Sequence, residues 1–259
     1  MINTSMEGCN SDTDRIQKMN EAEAQRMNES KGNLADFDCP KCKNRGFIAE
    51  VRGPYVVTAE CDCMVYRRNI TRLKNSGLQD VVSRYTFENY KASDPWQKAT
   101  KEIALRFVEN AQGWFYIGGQ VGSGKTHICT AITGNLIRQS KDTIYMPWVE
   151  VVTKLKSIKT DEEYSNVIER YKTVEVLYID DFLKTRTGEK PTTADLNISF
   201  ELLNYRYNNP KLITVISSER QINDVLDFDE ATGSRIKERC GDYVVGFDRD
   251  INKNYRLRG

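Results

Sequence analysis

The 259-residue chain contains no run of 18 apolar residues, which excludes a helical membrane span. It has almost no excess of charge: 38 Lys and Arg against 37 Asp and Glu leave +1. That excludes a global basic field, so any contact with nucleic acid has to come from local patches. The amino terminus lacks the charged-then-apolar layout of a secretory leader, and no internal repeat is present. The expected location is cytoplasmic. Seven cysteines are present, two of them flanking Asp62 and two in a C-x-x-C. This usage fits a reducing compartment with thiolate metal ligands better than a disulfide framework.

The chain divides by composition. Residues 1–35 have few aromatic or β-branched side chains and are expected to be a flexible tail. A polar helix from Arg15 to Met27 is an option within that tail, and Cys9 reads as an exposed thiol. Residues 36–66 are built around four cysteines, and residues 67–100 read as a helical linker with one helix near 66–75 and another starting at Pro95. From 113 onward, apolar strands at 113–118, 143–147, 174–180, 211–217 and 242–247 alternate with helical patterns at 125–139, 148–158, 162–171, 194–208, 221–226 and 231–239. That alternation predicts an α/β domain over 101–259, a parallel sheet flanked by helices.

Residues 119–126, Gly119-Gln120-Val121-Gly122-Ser123-Gly124-Lys125-Thr126, match G-x-x-x-x-G-K-[ST] at every fixed position. A chance match in a chain this size has odds of roughly 1 in 100 at average residue frequencies. Glycines let the backbone turn tightly and approach a ligand. Successive N–H groups and the positive end of the next helix then face phosphate oxygens. Lys125 would reach the outer phosphates and Thr126 would ligate Mg²⁺, with His127 opening the helix.

Val174 to Asp181 is an apolar strand running into two carboxylates. At the C-terminal end of a buried parallel strand these would lie at the ligand crevice. Asp180 would hold the Mg²⁺ shell, and Asp181 would orient the attacking water, a role more often given to Glu. The strand Lys211 to Ser218 also ends in hydroxyls, and either Ser217 or Ser218 could reach the γ-phosphate or cap the next helix. Ser234 to Arg239 puts Arg235 and Arg239 on one helix face, and Asn254-Tyr255-Arg256 adds another cation near the end.

Cys39-Pro40-Lys41-Cys42, eighteen residues, then Cys61-Asp62-Cys63 place four thiolates within 25 residues, a set suited to tetrahedral Zn²⁺. Residues 47–51 and 55–59 read as a hairpin around Arg52-Gly53-Pro54. A unit this small buries too little to fold alone, so metal binding would supply its folding energy. Two basic stretches are candidates for single-stranded DNA: Val151–Lys172, with Lys154, Lys156, Lys159, Arg170 and Lys172 beside Tyr164 and Tyr171, and Arg67, Arg68, Arg72 and Lys74.

Together, Gly119–Thr126 with His127, Ile179-Asp180-Asp181, Ser217-Ser218, Ser234–Arg239 and Asn254-Tyr255-Arg256 resemble the AAA+ ATPases of the DnaC/DnaI replicative helicase-loader type, over about residues 80–259. The same core occurs in IstB-like transposition ATPases. The resemblance implies ATP and Mg²⁺ at Lys125 and Thr126, and a Walker B pair at Asp180 and Asp181. It further implies a first sensor at Ser217 or Ser218, an arginine finger at Arg239 with Arg235 as the alternative, and a second sensor at Arg256. Sensor 1 is often Asn in such ATPases, whereas here Ser217-Ser218 is followed by Glu219. DnaI-type loaders carry an amino-terminal zinc-bearing region that contacts the helicase, and the four-cysteine unit is similar. The implied partners are a replicative helicase, single-stranded DNA and further copies assembled head-to-tail into a ring or helix. The alternatives are a transposition-type ATPase regulator and a zinc-bearing adaptor that binds ATP with little hydrolysis.

Overall fold

The computed structural model describes residues 8–35, 38–75, 82, 84–186 and 189–257, with the backbone alone at 8–12 and 72–75. The chain forms two compact units, Met1–Arg67 and Arg68–Gly259.

The first unit begins with α1 (Gly8–Glu29), followed by an antiparallel hairpin of β1 (Phe47–Arg52) and β2 (Tyr55–Glu60), with Phe47 opposite Glu60 and Arg52 opposite Tyr55. Within the tail expected to be flexible, Gly8–Glu29 form a 22-residue helix that contains and extends the Arg15–Met27 option. A helix this polar is marginal alone, and docking stabilises it. Asn28 donates to Ala49 O at 2.8 Å and accepts from Ala49 N at 2.9 Å, so one side chain continues the edge of the hairpin. Asn20 donates to Pro54 O, Arg45 donates to Met27 O and Ser30 O, and Ala24 is buried. The helix α2 (Cys63–Asn75) starts three residues earlier than the sequence pattern indicates.

In the second unit, α3 (Pro95–Asn110) starts where Pro95 occupies the first turn and Gln97 Oε1 accepts from Asp94 N at 2.7 Å. Then follow β3 (Trp114–Gly119), α4 (Lys125–Arg138), β4 (Thr143–Pro147), α5 (Trp148–Ser157), α6 (Asp161–Thr173), β5 (Val176–Asp180), α7 (Thr193–Tyr207), β6 (Ile213–Ser217), α8 (Ile222–Phe228), α9 (Glu230–Cys240), β7 (Val244–Phe247) and a 3₁₀ turn at Ile251–Lys253. The five strands are all parallel, in the order β4-β5-β6-β3-β7. Every residue of β3 and β6 is buried, as their continuous apolar runs require of central strands.

Strands β5 and β6 begin two residues later than their apolar runs, and Arg206 lies against their starting ends. Its side chain is fully buried and donates to Tyr171 O, Lys172 O, Val174 O, Glu175 O and Ile213 O, and to Thr214 Oγ1. The guanidinium thus caps the last-turn carbonyls of α6 and ties them to the starts of β5 and β6. Among the described residues, no helix is long and apolar enough to cross a membrane.

Candidate nucleotide site and cysteine cluster

The phosphate loop leaves the C-terminal end of β3, a central strand, and delivers the chain into α4. Two glycines are obligatory there. Gly119 has φ +104° and its missing Cβ would lie 2.0 Å from Phe247 O. Gly122 has φ +75°, and a Cβ would meet Asn254 Oδ1 at 2.0 Å. The second approach seats the C-terminal segment on the loop: Tyr255 N donates to Gly122 O at 2.9 Å. Lys125 Nζ donates to Gly119 O and Gln120 O at 2.8 and 2.7 Å. Burial holds its pKa below the ordinary lysine value, against the pull of Glu219 and Asp181.

Asp180, at the end of β5, gathers four hydroxyls. Thr126 Oγ1 lies 3.4 Å from Oδ1, Tyr178 OH donates to Oδ1 at 2.9 Å, Tyr145 OH donates to Oδ2 at 3.1 Å, and Ser217 donates to Oδ1. A hydroxyl and a carboxylate this close suit a Mg²⁺ ion held by Thr126 and Asp180. Ser217 Oγ also accepts from Asp181 N at 3.2 Å, whereas Ser218 donates to Phe182 O. The two serines left open by sequence are thus separated: Ser217 faces the carboxylates and Ser218 ties a loop. Asp181 has φ +57°, and its carboxylate accepts from Lys184 at 2.7 Å.

A cavity of about 430 Å³ opens on this loop, with Gly122, Gly124, Lys125, Thr126, Asp181 and Arg256 in its wall. Val121 and His127 also line it, and the remaining wall holds residues to which sequence assigned no site role. Tyr85, Asn89, Tyr90 and Lys91 come from the segment read as linker, and Lys184, Glu219 and Tyr255 complete it. His127 stacks on Tyr85 with centroids 4.8 Å apart and meets the edge of Tyr90 at 5.1 Å. Its Nε2 is 2.8 Å from Thr86 O, and burial lowers its pKa.

The structure does not bring Arg235 and Arg239 to this cavity. Arg239 donates to Pro210 O and Leu212 O, before β6 at the opposite end of the sheet, and lies over the Trp114 ring. Arg235 lies over the Phe200 and Tyr207 rings.

The Val151–Lys172 stretch is only partly available as a strand-tracking surface. Tyr171 is buried, Tyr164 donates to Glu201, Lys156 pairs with Asp195, and Lys172 pairs with Glu169 and Glu201. Lys154, Lys159 and Arg170 are exposed. In the other basic stretch, Arg67 is buried and donates to Asn44, Arg68 is exposed, and the Arg72 and Lys74 side chains lie outside the described residues.

The four sulfurs of Cys39, Cys42, Cys61 and Cys63 lie within 4.8 Å of one another. Cys39 to Cys61 is 3.9 Å and Cys42 to Cys63 is 3.5 Å. A tetrahedral zinc with bonds of about 2.3 Å needs sulfurs about 3.8 Å apart, so the donor set fits the ion. Both distances are far above the roughly 2.05 Å of a disulfide. Gly46 N donates to Cys42 Sγ at 3.4 Å. Burial raises the Cys42 thiol, but this N–H and the neighbouring thiols outweigh it and bring it to about 6. Burial pushes Cys63 up to about 12. Cys63 also opens α2, where a helix N-terminus favours thiolate.

A parallel sheet that carries a phosphate loop on a central strand and a carboxylate–hydroxyl cluster on its neighbours defines a P-loop NTPase core of the AAA+ kind. A family model described as IstB-like ATP binding protein matches residues 55–235, more than half of the chain. The chain belongs to this IstB-like ATP-binding family. It is 33% identical to the phage-like element PBSX protein XkdC of Bacillus subtilis (strain 168), over 86% of this chain and 87% of that protein. It is 29% identical to the replicative helicase loader DnaC of Buchnera aphidicola subsp. Schizaphis graminum (strain Sg), over 42% of this chain and 47% of that one. The solved DnaI structure shares the fold, with a TM-score of 0.52 at 21% identity over 65% of this chain and 93% of that one.

Proposed function

We propose that this protein is an ATP-hydrolysing loader that delivers a ring-shaped replicative helicase onto single-stranded DNA. The observation that carries the reading is the joint presence, in one chain, of the Thr126–Asp180–Ser217 cluster beside a phosphate loop and a four-thiolate unit of zinc dimensions. Family membership and the similarity to a protein named as a helicase loader support it. Bound Mg²⁺ would neutralise phosphate charge. Lys125 would bind the outer phosphates, Ser217 would fix the Asp180 carboxylate, and Asp181 would orient the water. Arg256, from the wall of the same cavity, is the cis sensor in this reading. The cysteine unit binds the helicase, and Lys154, Lys159 and Arg170 contribute the DNA contacts. A transposition-type ATPase regulator is the second reading, favoured by the family description. That matched span starts at residue 55 and leaves Cys39 and Cys42 outside it, which favours a loader.

Arg235 and Arg239 lie away from the cavity of their own chain, so a finger from either must act on a neighbour's ATP. Head-to-tail contacts of that kind build rings or open helices. Such a finger contributes about 10³–10⁵ in rate in well-studied NTPases. Arg239→Ala, Arg235→Ala and Asp181→Ala proteins are assayed alone and in mixtures, with the source's replicative helicase and single-stranded DNA present. Lys125→Ala is the binding control and should lose ATP without losing zinc. The expected result is that one arginine variant and Asp181→Ala are each inactive yet regain turnover when mixed, and that the wild type retains the helicase on DNA. A wild type that hydrolyses ATP but neither binds that helicase nor changes its loading refutes the loader reading. Absence of complementation by either arginine variant refutes the finger in trans.

A further inference from the structure

Lys184 stands three residues beyond Asp181, on the wall of the nucleotide cavity. Its ammonium donates to Asp181 Oδ2 at 2.7 Å and lies 3.1 Å from Glu219 Oε1, with all three side chains between 31% and 40% exposed. The backbone that carries it is held in a costly conformation. Asp181 and Leu183 both have positive φ, +57° and +53°. A left-handed conformation is costly for a residue other than Gly, and such strain persists only where the surroundings over-determine it. Here they do. Phe182 and Leu183 are buried, Phe182 N donates to Ser217 O at 2.8 Å, Ser218 donates to Phe182 O at 2.7 Å, and Lys184 N donates to Asp181 O at 3.0 Å. The turn ties Lys184 to the same strand end that holds Ser217.

Charge gives this placement a use. Asp181 and Glu219 both act on Lys125, so two carboxylates border the place where the outer phosphate would lie. Without a cation between them they would repel a γ-phosphate at short range. We propose that Lys184 is a catalytic cation acting in cis: it rests between Asp181 and Glu219 and transfers to the γ-phosphate when ATP binds. The inference rests on the reading of the cavity as an ATP site. Transfer to the phosphate releases Asp181 to orient the attacking water. The water oxygen then bonds to the γ-phosphorus, and the bond to the β–γ bridging oxygen breaks with its electron pair leaving on ADP. The water's protons end on inorganic phosphate and solvent, and Lys184 keeps its own. Its charge is stabilising where negative charge accumulates, which places it among preorganised electrostatic contributors.

The test uses the full chain and compares fluorescent ADP, β,γ-imido ATP and ATP turnover in wild type, Lys184→Met and Lys184→Arg. ADP affinity and zinc content should be unchanged in Lys184→Met. Affinity for β,γ-imido ATP should fall about 10-fold and turnover about 100-fold, in the range of a lost transition-state contact. Lys184→Arg should recover most of the preference for the triphosphate. A merely structural surface ion pair contributes little and would leave the triphosphate-to-diphosphate ratio untouched. If Lys184→Met keeps that ratio and its turnover, the inference is overturned while the ATP site stands. If the wild type binds neither nucleotide, the ATP site itself falls and the inference with it.

Discussion

The two units are held together by different physics. The second buries whole strands: β3 and β6 have no exposed residue, and Trp148 packs edge-on against Phe182 with centroids 4.9 Å apart. The first buries four sulfurs with Ile48 and Met64 packed against them, a two-stranded hairpin and one polar helix. An isolated hairpin is marginal in water. Apolar burial therefore carries one unit, whereas the other buries little besides a cysteine cluster whose dimensions suit a metal ion. Damage to either should stay within it.

The largest expected effect breaks that comparison on the thiolate side. Structural zinc contributes about 10–16 kcal/mol of apparent folding free energy in zinc-finger peptides. Cys39→Ser with Cys42→Ser should release about one zinc per chain. Hydrogen exchange over residues 39–63 should then rise to the unprotected rate. ATP binding and the main calorimetric transition should not move. Loss of the main transition along with the zinc would mean that the two units fold as one.

A smaller effect should appear on the core side. Among the described residues Arg206 has no carboxylate partner, and it donates to five carbonyls and one hydroxyl. Arg206→Met keeps most of the volume and removes this donor, although Glu175 O keeps Ile213 N, at about 1–3 kcal/mol for each buried group left stranded. Urea unfolding should report about 3 kcal/mol lost from the second unit with zinc content unchanged. A variant as stable as wild type would show that these carbonyls find other donors.

The same contrast explains what sequence could reveal. The phosphate loop and the cysteine spacing are local patterns whose geometry follows from adjacent residues, and the strand–helix alternation repeats one period shift after another. Ser217 and Ser218 could not be told apart because neighbouring strand residues point to opposite faces, so a one-residue choice decides between Asp180 and the Phe182 carbonyl. Tyr145 and Tyr178 fall within strand runs to which sequence assigns no polar role, yet they are opposed in the β4–β5 register and both send hydroxyls to Asp180. The docking of α1 was illegible because it relies on Asn28 pairing with a backbone twenty-one residues away rather than on an apolar stripe. Arg235 and Arg239 lie on one helix, as their spacing requires, but spacing says nothing about which surface that helix occupies.

The smallest expected effect sharpens the comparison through pH. His127 belongs to the core unit, lies between Tyr85 and Tyr90, and is the chain's one histidine. Burial lowers its pKa from 6.5, the Thr86 carbonyl opposes that shift, and the Lys101 charge reinforces it. The folded state therefore binds this proton less readily than the unfolded chain. Its contribution to stability is complete above the unfolded value of 6.5, falls as pH drops from there toward the depressed folded value, and levels off below it. Over that window the midpoint of the main transition should fall as pH drops. His127→Gln cannot titrate and should flatten the profile over the same window. A metal held by the four cysteines would give the first unit its own acid dependence, because thiolates must stay deprotonated to hold an ion. The Cys39→Ser, Cys42→Ser background removes that contribution. If the slope between the two pKa values persists in His127→Gln on that background, the titrating group is another one and the imidazole is not the source of the core unit's acid sensitivity.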